Sequence, residues 1–154
     1  MRRTQIGANP EPRLDSSPTA LERASWGLIA LGSLAVLLTA AALEPNPRGM
    51  GTHTQLGLPP CGFLTLTGFP CPGCGLTTAF AYGIRGQWLE AASANPLGLA
   101  LFVIVCAAFC VSLVAPFRGW RFSDLFDRWS IDRWGLVLAA AGVAIWIARL
   151  SVAA

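Results

Sequence analysis

The sequence predicts an all-α integral membrane protein with three transmembrane helices and short interfacial helices. Three observations predict it: 54% of the 154 residues are hydrophobic and only 12% charged, two uncharged runs approach bilayer length, and a third apolar run closes the chain. Soluble domains carry about a quarter of their residues as Asp, Glu, Lys and Arg, so half that fraction speaks against a surface turned wholly to water. The net charge of +3 comes from 11 basic residues, all arginine, scattered along the chain. That is too weak and dispersed a charge for nucleic acid, so the lipid bilayer is the expected partner.

Each element follows in order. Residues 1–24 carry Pro10, Pro12, Pro18 and Ser16-Ser17 with no apolar period, and read as a disordered cytoplasmic tail. Ser25 to Leu43 is uncharged, and these nineteen residues span roughly 28 Å as a helix, so 25–43 is the first span. Ala40-Ala41-Ala42 resembles a signal-peptide cleavage site, but the apolar run is longer than a cleaved segment's about 7–15 residues, which favours an anchor.

Residues 44–94 form a Cys/Gly/Pro-rich loop with interfacial helices. A helix is expected to start near Cys74, with Leu76, Phe80, Ile84 and Trp88 on one face, and Gly83 and Gly86 should split it in two. The second span is 95–115, with Asn95 as N-cap and Pro96 at the first helical position, where its missing N–H costs nothing. Residues 116–133 read as an amphipathic cytoplasmic linker, with Phe122, Leu125, Phe126 and Trp129 on one side. The third span is 134–154, and it reaches full length if Arg149 snorkels to the headgroups. Gly135 and Ala139 are its expected close-packing positions.

Arginine placement predicts the orientation. Arg2, Arg3, Arg13 and Arg23 precede the first span, and Arg118, Arg121, Arg128 and Arg133 lie between the second and third, whereas the long loop holds only Arg48 and Arg85. Basic residues are retained in the cytoplasm, so the N-terminus should be inside, the loop extracytoplasmic, and the protein multi-pass in the cell (inner) membrane.

The loop concentrates the chemistry. It holds Cys61, Cys71, Cys74 and His53, the chain's sole histidine. A cysteine at a helix start feels the positive end of the dipole, which favours the thiolate, and Cys74 is the expected beneficiary. Cys106 and Cys110, four apart in the second span, read as lipid-facing or packed apolar residues. Paired carboxylates, a Ser-His-Asp set and phosphate-binding glycine motifs are missing, so no catalytic residue is assigned and an enzyme is not expected.

The run Cys71-Pro72-Gly73-Cys74-Gly75-Leu76-Thr77, with Cys61 and Thr67-Gly68 upstream and Gly86 and Asn95-Pro96 downstream, resembles the Domain of Unknown Function 2752 family of small bacterial membrane proteins. That family's mark is Cys-Pro-x-Cys-Gly-x-Thr. The resemblance covers about Gly57 to Leu101 and implies a membrane location but no activity. Many members carry arginine after the threonine where this chain has Thr78, so no role for that arginine carries over.

Several readings of the cysteines stand side by side. One is a disulfide pinning an exported loop that has no core of its own, with one thiol of the three left over. Another is a zinc site of Cys61, Cys71 and Cys74 with His53 as fourth ligand, although Cys-x-x-Cys is only half of a familiar zinc motif. A third is thiol redox exchange at Cys71 and Cys74. In the last, Pro72, Gly73 and Gly75 build a tight turn and the thiols merely pack. The expected function is a membrane structural or interaction module with a cysteine-pinned outer loop and no cofactor, met by a second copy or a membrane partner protein. The alternative is an outer-surface thiol-redox or zinc site.

Overall fold

The computed structural model describes residues 19–121 and 131–153, and these are entirely helical outside the loops. Six α-helices follow in order: α1 (Ala20–Ala42), α2 (Gly62–Thr67), α3 (Leu76–Gly83), α4 (Trp88–Ala94), α5 (Pro96–Val114) and α6 (Ile131–Ala153), with a 3-10 turn at Thr52–Leu56. Among them α1 and α5 are long and apolar enough to cross a membrane. The apolar part of α6, Arg133–Ala148, is shorter. The expected linker helix at 122–129 and most of the N-terminal tail lie outside the described residues.

α1 starts five residues before the uncharged run because Thr19 and Glu22 form a capping box: the Thr19 hydroxyl accepts from Glu22 N and the Glu22 carboxylate accepts from Thr19 N at 2.8 Å. Residues 20–24 are thus helix and not tail. α5 opens as the sequence indicates, Asn95 Oδ1 accepting from Gly98 N at 3.0 Å with Pro96 first in the helix.

α1 and α5 pack antiparallel, and the two ends of the pair differ. At one end Trp26 Nε1 donates to the Trp120 carbonyl at 3.0 Å and Arg121 meets Glu22 at 3.1 Å. At the other, Arg85 reaches from the turn after α3 to the last carbonyls of α1, donating to Ala40 O at 3.4 Å and Ala41 O at 3.2 Å. A helix leaves its final carbonyls without internal partners, and a guanidinium there also offsets the negative end of the dipole. The second loop arginine therefore completes α1.

α3 lies across this end. Phe80 meets Phe102 edge to face with centroids 5.6 Å apart, and Ala40 joins them in the core. Close approach depends on small residues: a Cβ at Gly98 would stand 2.8 Å from that of Ala79, and one at Gly83 would stand 2.9 Å from the Phe102 ring. The split into α3 and α4 falls between Gly83 and Trp88 as the glycines indicate, yet Trp88, though exposed, still meets the ring of Phe102 at 6.0 Å, the same ring that Phe80 packs on.

α6 packs on α5 at a position other than the expected one. Gly135 and Ala139 are exposed, with nothing near Gly135, whereas Gly142 is buried where a Cβ would lie 2.8 Å from Leu97. Small residues at four-residue spacing occur all along α6, and only tertiary packing selects which of them meets a neighbour.

Candidate functional site

Cys61, Cys71 and Cys74 converge. Their Sγ atoms all lie within 4.8 Å of one another, and Cys71 and Cys74 are 3.2 Å apart. None of the five cysteines is in a disulfide, so the loop is not pinned by one in this structure. A disulfide bond is about 2.0 Å long, and these sulfurs are in hydrogen-bonding contact.

Two separate local structures supply the three sulfurs. Cys61 is the N-cap residue of α2, six residues whose end is marked by Gly68 in the left-handed region. Cys71 and Cys74 sit on the turn before α3, closed by Cys74 N donating to Cys71 O at 3.0 Å. Asn95 holds that turn from below. Its Nδ2 donates to the carbonyls of Pro72 at 3.3 Å and Cys74 at 3.1 Å while its Oδ1 caps α5, and the side chain is 1% exposed. One buried amide thus ties the Cys-Pro-Gly-Cys turn to the start of α5, using donor and acceptor at once.

The expected motif residues divide. Gly75 (φ +88°) faces the Ala94 and Gly49 carbonyls, so the turn needs glycine there. Thr77 lines an apolar groove between α1 and α3 with Ala35, Val36 and Thr39. Thr78 is fully buried, 2.8 Å from the hydroxyl of Thr52, which also accepts from Asn46 N. This pair fastens the first half of the loop onto α3. His53 is not part of the sulfur group; its Nε2 lies 3.2 Å from the Pro59 carbonyl. Cys106 packs against the core and Cys110 is exposed, both away from the cluster.

The electrostatics reverse one expectation. α3 begins at Leu76, beyond Cys74, so Cys74 is no helix cap. Burial pushes its thiol up to about 12, and hydrogen bonding of the protonated thiol to the Cys71 sulfur adds to this. Cys61 instead gains the backbone donors. The Leu64 N–H, then the Cys71 and Cys74 thiols, bring it down to about 7. In metal-free protein, alkylation of Cys61 by iodoacetamide should therefore rise through about pH 7, with Cys74 inert over the same range. Peptide mapping of the alkylated sites checks this, and equal rates at both cysteines would contradict the assignment.

Sequence reasoning does not anticipate one further neighbour, which makes two contacts. Trp146 on α6 donates from Nε1 to the Pro70 carbonyl at 2.8 Å, one residue before Cys71, and its ring meets Phe63 of α2 at 6.1 Å. The third long helix thereby touches both arms of the cluster. No local pattern signals such a contact, which spans 76 residues of chain.

Residues 61–109 match the model of a family described as a protein of unknown function (DUF2752), the family that the motif resembles. The match includes all three clustered cysteines and Asn95, and covers about a third of the chain. No curated protein and no solved structure matches the chain.

Proposed function

We propose that the chain is a three-span membrane protein whose extracytoplasmic end carries a thiolate centre for one zinc ion, with Cys61, Cys71 and Cys74 as ligands. The convergence of three sulfurs from α2 and the α3 turn carries this reading. Tetrahedral zinc at about 2.3 Å from each sulfur needs sulfurs about 3.8 Å apart. The observed 3.2 Å for one pair and the 4.8 Å limit for the set bracket that spacing. Soft thiolates select zinc or monovalent copper over hard cations. A metal drawing α2 and the α3 turn together would organise a glycine- and proline-rich segment with little apolar core, which is the work a structural module of this kind requires.

The orientation rests on the two ends of the α1–α5 pair. The end with Arg23, Arg118 and Arg121 suits the cytoplasmic side, and at the cysteine end Arg85 is engaged with helix carbonyls. Full-length protein purified in detergent is expected to hold about one zinc per chain, with Cys61→Ser and Cys74→Ser each lowering affinity more than about 100-fold. Elemental analysis and a competing chelator measure both quantities. Copper in place of zinc corrects the metal; no bound metal with silent serine variants removes the centre. A reporter fused near Gln55 reads the side of the membrane.

A further inference from the structure

The three sulfurs are not equivalent. Cys74 is 7% exposed, Cys71 is half-buried, and both belong to one turn that Asn95 holds at Pro72 and Cys74. Cys61 reaches them from α2, a separate element. Bonding Cys71 to Cys74 requires their 3.2 Å separation to shrink by about 1.2 Å. That movement is internal to the turn, whereas a bond to Cys61 would have to draw α2 along. Cys61 and Cys71 are both half-buried and within reach of an external disulfide, while Cys74 is shielded. Of the two accessible sulfurs only Cys71 shares its turn with a second sulfur, 3.2 Å away, that can resolve a mixed disulfide.

We propose that this centre is also a two-electron donor to disulfides, with Cys71 as the attacking sulfur, Cys74 as the resolving sulfur, and Cys61 and the metal released as the pair is oxidised. The Cys71 thiolate attacks one sulfur of the substrate disulfide. The substrate S–S bond breaks, and the first substrate thiolate leaves and takes up a proton from water. A mixed disulfide then joins Cys71 to the remaining half of the substrate. The Cys74 sulfur, having given up its proton or its metal bond, attacks the Cys71 sulfur and expels the second substrate thiolate, which is also protonated. Two cysteines become one disulfide, one substrate disulfide becomes two thiols, and zinc departs with its oxidation state unchanged because two of its three sulfurs are no longer donors. Metal release rests on the zinc reading above. The order of exchange rests on the sulfur geometry alone.

The test uses full-length protein in detergent, with oxidised glutathione as the disulfide probe and a chromogenic chelator present. In the wild type, the expected result is one Cys71–Cys74 disulfide for each zinc released, with Cys61 recovered as a thiol open to maleimide. In Cys74→Ser, glutathione should stay trapped on Cys71. A wild-type disulfide that includes Cys61, a trapped adduct on Cys61, or zinc retained after Cys71 and Cys74 have bonded overturns the proposal. The wild-type peptide map decides the exchange order even where the variant fails to fold. Protein that carries no zinc yet ends as Cys71–Cys74 defeats the metal reading and leaves the exchange standing.

Discussion

Asn95→Asp is expected to abolish high-affinity metal binding while leaving α5 capped. Aspartate keeps an oxygen where Asn95 Oδ1 accepts from Gly98 N, and it is as good an N-cap as asparagine. It cannot replace the amide that donates to the Pro72 and Cys74 carbonyls. An acceptor would then face two acceptors in a buried site, where each unsatisfied group costs roughly 1–3 kcal/mol. Repulsion should push the Cys-Pro-Gly-Cys turn away from the α4–α5 junction and carry Cys71 and Cys74 off Cys61.

Asn95→Ala removes both functions together. It should lower the melting temperature by about 6–12 °C, from a loss of about 3 kcal/mol. Comparing the two variants separates the clamp from the cap. Zinc stoichiometry and thermal melts followed by helical ellipticity supply the readouts. If Asn95→Asp binds zinc like the wild type, the turn is held by something other than this amide.

Features encoded by adjacent residues were readable in advance. Asn95-Pro96 marks a helix start because a side-chain acceptor and a fixed φ act within one turn of chain, and α5 begins there. The break between α3 and α4 follows in the same way from Gly83 and Gly86. The Thr19–Glu22 box is equally local, and it places the start of α1 at Ala20, ahead of the uncharged run.

Contacts made by chain closure were not readable. Arg85 counts as a loop charge until α1 and α3 are brought together, and then its guanidinium bonds to the Ala40 and Ala41 carbonyls. Cys61 is expected beside Cys71 and Cys74 from residue type and motif alone, but the nine residues between it and Cys71 allow many separations, and only the fold sets the one observed. His53 has the chemistry of a fourth ligand, but it lies against the Pro59 carbonyl and outside the sulfur group. Cys74 misled for a related reason. A helix starting at that residue would favour the thiolate, but α3 begins at Leu76, and burial acts in the opposite direction and dominates.

Gly75→Ala is expected to be the most damaging small substitution in the motif, and Gly73→Ala, two residues away, close to neutral. A Cβ at Gly75 would stand 2.5 Å from the Ala94 carbonyl oxygen and 2.7 Å from that of Gly49. Both atoms are backbone, so no side-chain rotation relieves the overlap. The positive φ adds about 1–2 kcal/mol for any residue with a Cβ. Relief requires moving the Gly49 turn or the α4–α5 junction, and the latter carries Asn95 and with it the clamp on the cysteines. The total should exceed about 3 kcal/mol and appear as both a lower melting temperature and lost metal affinity. At Gly73 the nearest atom to a new Cβ is Cys71 Sγ at 3.9 Å, an ordinary contact, and φ is not in the left-handed region. Alanine there should change stability by no more than about 0.5 kcal/mol. The two glycines flank Cys74 and look interchangeable in the sequence, so the contrast isolates the packing of the turn against the junction. Equal behaviour of the two variants in melting and zinc titration would mean that Gly75 does not sit against those carbonyls.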